Sequence, residues 1–121
     1  MTHKILLIDD DPLVRKSVLL LLKRNDFEAK SAESVAQALQ IAETEQFDLI
    51  ISDIRMPGVD GVTGAETLSQ LFRTKWEKDI PVVFITGYAG AGRELKAEVY
   101  GEIITKPFDL DFLITTIREY L

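Results

Sequence analysis

Cysteine is absent from this chain of 121 residues, so disulfide bonds and thiolate chemistry are excluded. That absence fits a reducing compartment, and a cytoplasmic location is the default expectation. No apolar stretch approaches the ~20 residues that a membrane-spanning helix requires. Met-Thr-His-Lys leads directly into a strand pattern, which leaves no room for a signal peptide. An excess of basic residues is also lacking. The net charge of -6 argues against general nucleic-acid binding and against adhesion to anionic membranes, so neither is expected as a partner. Histidine occurs once, at His3, and reads as a solvated residue near the N-terminus. There is no low-complexity tract, internal repeat or linker, and a single domain over residues 1–121 is expected.

What the chain does contain is a repeated arrangement: apolar runs that each end on a polar residue. Asp9 and Asp10 follow Ile5-Leu6-Leu7-Ile8, and Asp53 follows Leu49-Ile50-Ile51-Ser52. Thr86 follows Val82-Val83-Phe84-Ile85, and Lys106 follows Ile103-Ile104-Thr105. Short apolar runs separated by helical periodicity read as buried parallel strands. In open parallel sheets, ligands bind beyond the carboxyl ends of the strands. The five polar residues are therefore expected at one edge. Three carboxylates, a hydroxyl and an amine together suggest a divalent cation and a phosphoryl group.

Strand and helix patterns alternate, which predicts an α/β fold. The strands are placed at about Lys4–Ile8, Phe27–Ser31, Phe47–Ser52, Ile80–Ile85 and Glu102–Thr105. The second is the most polar and suits a sheet edge. The first helix starts at Asp11-Pro12, where a capping carboxylate precedes a proline in the first helical position. Leu13, Val14, Val18, Leu21 and Leu22 are its apolar residues, while Arg15, Lys16, Lys23 and Arg24 read as a solvated face. The second helix begins near Ser34 with Val35, Leu39 and Ala42 on one stripe, and the third is placed from about Thr63 to Thr74. A short fourth helix is expected over about Arg93–Tyr100. A fifth runs from Asp109 to the end, with Leu110, Leu113, Ile114, Ile117 and Leu121 on its buried face. Trp76 reads as a packing or loop-anchoring residue.

Four motifs stand in order along nearly the whole chain: Ile8-Asp9-Asp10-Asp11, Asp53-Ile54-Arg55-Met56-Pro57-Gly58-Val59-Asp60-Gly61, Thr86-Gly87 and Lys106-Pro107-Phe108. With them the sequence resembles the response-regulator receiver domains of two-component signalling. The resemblance implies a doubly wound, flavodoxin-like fold with a five-stranded parallel sheet in the order 2-1-3-4-5. It implies that Asp53 is the phosphoacceptor. Asp9, Asp10, Asp53 and the backbone carbonyl of Arg55 would hold Mg²⁺. Thr86 and Lys106 would contact phosphoryl oxygens, as would backbone N–H groups near Ile54 and Gly87. The implied partners are a sensor histidine kinase or a histidine phosphotransfer protein as donor, and a downstream protein target. The implied output surface is formed by the fourth helix, the fifth strand and the fifth helix.

The chain departs from the family pattern in three places, one of them a slightly long stretch from Gly61 to Pro81. Ile103 stands where an aromatic residue is usual, which puts the usual coupling to Thr86 in question. The segment from Thr86 to Lys106 is short, so the fourth helix is expected to be short or displaced. Arg55 and Tyr88, at positions that vary within the family, flank the site and are expected to hinder water and prolong the phosphorylated state. Two alternative readings are a phosphorylation-independent docking module and a haloacid-dehalogenase-like phosphatase. The second usually needs another aspartate where Arg55 stands.

Overall fold

The computed structural model describes residues 2–54, 58, 60–87, 101–106 and 109–121. Its strands are β1 (Lys4–Ile8), β2 (Glu28–Ala32), β3 (Leu49–Asp53), β4 (Val82–Thr86) and β5 (Gly101–Thr105). Its helices are α1 (Pro12–Arg24), α2 (Val35–Thr44), α3 (Gly61–Lys75) and a C-terminal helix (Leu110–Tyr120). All strands are parallel, in the order β2-β1-β3-β4-β5. The expected fold class and strand order are what the structure has. The segment expected to form the fourth helix lies outside the described residues, as do Arg55, Tyr88, Pro107 and Phe108.

Alternation along the buried strands divides the core into two layers. Ile5, Leu7, Leu49, Ile51, Val83 and Ile85 pack with Val18 and Leu22 of α1 and with Leu113, Ile114 and Ile117 of the C-terminal helix. Leu6, Ile8, Ile50, Val82 and Phe84 face α2 and α3, where Val35, Ala38, Leu68 and Phe72 meet them. Each fully buried side chain of this size contributes about 1.5–3 kcal/mol relative to exposure. Covering both faces is what makes the strands continuous apolar runs rather than alternating ones.

Helix starts follow their caps. The side chains of Asp11, Ser34, Asp60 and Asp109 accept from backbone N–H groups of the first turns of α1, α2, α3 and the C-terminal helix. Helix α3 begins at Gly61, two residues before the expected start. The reason is tertiary: the Gly61 N–H donates to the Ile54 carbonyl at 2.8 Å. A Cβ at Gly61 would collide with the Asp53 carbonyl oxygen, so glycine lets the helix abut the end of β3. Strands β2, β3 and β4 run about one residue further than expected at their carboxyl ends, because ladder pairing continues into Ala32, Asp53 and Thr86. Leu110 and Leu121, expected on a buried face, are exposed at the two ends of the C-terminal helix. Trp76 anchors the end of α3 as expected, donating from Nε1 to the Ala42 carbonyl at 2.9 Å.

Candidate functional site

Register brings the polar strand ends together. Ile8 pairs with Ser52, so Asp9 and Asp53 follow side by side. Asp53 pairs with Ile85, one step before Thr86. Thr86 pairs with Thr105, one step before Lys106, whose N–H donates to the Thr86 carbonyl at 2.6 Å. Carboxylate oxygens of Asp9, Asp10 and Asp53 lie within 4.8 Å of one another. Asp9 is fully buried, Asp53 nearly so, and Asp10 is exposed. Thr86 is buried at the same edge, and Gly87 runs along the Lys106 stem, where an added Cβ would lie 3.9 Å from Lys106 Cβ. Ile54 is buried against the α2 and α3 layer.

Lys106 closes the cluster. Its Nζ donates to Asp9 Oδ2 at 3.0 Å and to Asp53 Oδ2 at 3.1 Å. Burial alone would favour the neutral amine. The Asp9 hydrogen bond and the charges of Asp53 and Asp9 outweigh it, holding the Lys106 pKa above the usual lysine value. Asp9 is fixed at every polar group. Its Oδ1 accepts from the Asp11 N–H at 2.9 Å, and its N–H donates to the Ala32 carbonyl at 3.1 Å. Its own carbonyl accepts from Arg15 Nη1 at 2.7 Å.

Arg15 corrects the sequence reading. Its spacing predicts a place on the solvated face of α1, yet it is half-buried and turned back to the strand end. The available signal was its position, one turn after the Asp11-Pro12 start, where a long donor reaches the carbonyl just beyond β1. The fourth expected metal contact, the Arg55 carbonyl, lies outside the described residues.

A cleft of about 530 Å³ opens at the opposite pole of the sheet, lined by Lys4, Glu45, Asp48, Trp76 and Lys78 among others. Ion pairs line it. Lys4 lies 2.8 Å from Glu45, and Lys78 lies 3.2 Å from Asp48. Hydrogen bonding from Lys4, against the cost of burial and aided by Lys30, holds Glu45 below its usual pKa. Burial would raise the Asp48 pKa, but the Lys4 backbone N–H and the Lys78 ammonium outweigh it and lower it. These ion pairs clamp segments next to the strand starts. Among the described residues, no helix is long and apolar enough to cross a membrane.

Comparison with known proteins agrees with the geometry. The response regulator receiver domain family model matches residues 5–118. The chain is 34% identical over 128 residues to the transcriptional regulatory protein GlrR of Escherichia coli, covering all of this chain and 27% of that protein. It is 34% identical over 121 residues to the sensor kinase CckA of Brucella abortus, covering 97% of this chain and 12% of that protein. The chain thus spans 27% or less of either relative. The chemotaxis protein CheY4 of Vibrio cholerae shares the fold, with a TM-score of 0.88 at 24% identity over the whole of both chains. The response regulator TrrA of Thermotoga maritima, solved with Mg²⁺ and BeF, matches at a TM-score of 0.84 and 29% identity, again over both whole chains. The sheet order, the converging carboxylates and a family match from β1 into the C-terminal helix together make this chain a member of the response-regulator receiver domains of two-component signalling.

Proposed function

We propose that the chain accepts a phosphoryl group on Asp53 from a phosphohistidine of a sensor histidine kinase or a histidine phosphotransfer protein. The observation that supports this best is the Lys106 ammonium held between Asp9 and Asp53 at the carboxyl edge of the sheet. An Asp53 carboxylate oxygen attacks phosphorus, an acyl phosphate forms, the P–N bond breaks with its electron pair going to the ring nitrogen, and the imidazole leaves neutral, keeping the proton of its other ring nitrogen. Lys106 neutralises one phosphoryl oxygen as a point charge. The Thr86 hydroxyl donates to another, and the N–H groups of Ile54 and Gly87 supply further donors. Catalysis of phosphorylation, and of the later hydrolysis, is mostly positioning and electrostatic stabilisation.

The donor set fits Mg²⁺. Asp9, Asp10 and Asp53 offer hard carboxylate oxygens close enough for one small dication, and exposed Asp10 leaves room for retained waters. The Arg55 carbonyl is the fourth proposed contact. Bound Mg²⁺ supplies the positive charge that lets an anionic phosphoryl group enter an acidic site. Phosphorylation then shifts a two-state equilibrium at a face that includes β5, the last strand of the sheet, and the C-terminal helix, altering affinity for a downstream protein. Ile103 is half-buried against the α2 and α3 layer, so this switch proceeds without an aromatic side chain at that position.

The test is intact mass after incubation with acetyl phosphate and Mg²⁺. The expected result is one added phosphoryl group, absent without Mg²⁺ and absent from Asp53→Asn. Partner binding equally tight in native protein and Asp53→Asn, with no adduct in either, would instead establish a phosphorylation-independent docking module.

A further inference from the structure

Asp10 depends on its backbone for direction. Among the described residues none donates a hydrogen bond to its carboxylate, unlike Asp9 and Asp53, which Lys106 bridges. Its carboxylate nevertheless converges with theirs to within 4.8 Å. The peptide unit joining Asp9 to Asp10 is planar, so fixing the Asp9 carbonyl also fixes the plane from which the Asp10 Cα departs. That carbonyl is held by Arg15 Nη1 at 2.7 Å. Arg15 is itself held in the first turn of α1, where its N–H donates to the Asp11 carbonyl at 3.0 Å.

We infer that Arg15 is a positioning residue for cation binding: through the Asp9 carbonyl it aims the Asp10 carboxylate into the site. This rests on the reading of the acidic cluster as a Mg²⁺ site. The role has a sign that a purely electrostatic one lacks. Arg15 is a cation near three carboxylates. If charge were its only contribution, removing it would tighten Mg²⁺ binding. If it positions Asp10, removing it weakens binding despite the lost repulsion. Partners that orient metal ligands typically contribute 10–100-fold to metal affinity. The offsetting charge places the expected loss near the lower end, about ten-fold.

The experiment is a Mg²⁺ titration of native protein, Arg15→Met and Arg15→Lys, followed by amide chemical shifts, with metal-free thermal melts of each. Native protein that shows no saturable shifts around Asp9–Asp11 refutes the cation site itself, separately from the role of Arg15. Given native binding, a folded Arg15→Met that binds about ten-fold more weakly supports the inference. Arg15→Met at native affinity or tighter overturns it. Should Arg15→Met fail to fold, Arg15→Lys decides, because it keeps the charge but displaces the donor. Two- to three-fold weaker binding supports positioning, and unchanged or tighter binding overturns it.

Discussion

Replacing Lys106 by Met tests how the acidic edge tolerates its own charge. Met keeps much of the apolar stem and removes the ammonium that lies 3.0 Å from Asp9 and 3.1 Å from Asp53. The Asp9 side chain is 0% exposed, that of Asp53 10% and that of Lys106 21%. Removing one partner of a buried ion pair costs roughly 3–5 kcal/mol, because the other charge is left uncompensated. Solvent access to the lysine reduces this, so about 2–3 kcal/mol is expected without metal. For a urea slope of about 1.5 kcal/mol/M, the unfolding midpoint falls by roughly 1.3–2 M. Added Mg²⁺ should shrink the deficit, because a dication binds only the folded cluster and replaces the missing positive charge. The assay is urea denaturation followed by circular dichroism, in EDTA and in increasing Mg²⁺. An unchanged metal-free midpoint, or a deficit that Mg²⁺ leaves intact, would refute the reasoning. Replacing Lys106 by Met should thus strengthen Mg²⁺ binding, while replacing Arg15 by Met should weaken it because the hydrogen bond to the Asp9 carbonyl is lost.

Three further outcomes are expected. Gly61→Ala should lower the melting temperature by several degrees: helix propensity favours Ala by about 1 kcal/mol, but overpacking against the Asp53 carbonyl costs about 1–3 kcal/mol. A rise in melting temperature would show that the close approach is easily relaxed. Asp48 has a lowered pKa when folded, so its contribution is complete above the unfolded value of about 3.9 and is lost as pH falls through the folded value. Asp48→Asn should therefore cost about 1 kcal/mol at pH 7, a figure reduced for its exposure, and the gap from native should close in acid; a pH-independent gap in urea titrations would contradict this. Trp76→Phe removes the donor to the Ala42 carbonyl and should cost about 1 kcal/mol, read from chemical denaturation by circular dichroism, with no change in Mg²⁺ affinity at the opposite pole.

Much of the architecture was legible because its signals are local. Four apolar runs ended on Asp9, Asp53, Thr86 and Lys106, and those ends meet at one edge. Asp11-Pro12 and Ser34 marked helix starts because caps satisfy backbone donors within a few residues of themselves. What was misplaced depended on contacts between distant segments. Propensity put the start of α3 beyond Gly61, whereas the Ile54 carbonyl and the space beside Asp53 put it at Gly61. Helical periodicity placed Leu110 and Leu121 on a buried face, but periodicity does not say which turns of a helix its neighbours cover.

The sequence by itself determined the order of elements, the two-sided burial of the strands and the residues available for chemistry, since hydrophobic periodicity and capping are properties of neighbouring residues. Only the tertiary structure decided their spacing in space. Parallel register set Asp9 beside Asp53, and crossover connections brought Lys106 within about 3 Å of both. It also turned Arg15 from an apparent surface charge into the partner of a strand-end carbonyl. The reason is physical: a buried carbonyl or carboxylate must find a partner, and which side chain arrives is fixed by how the layers pack.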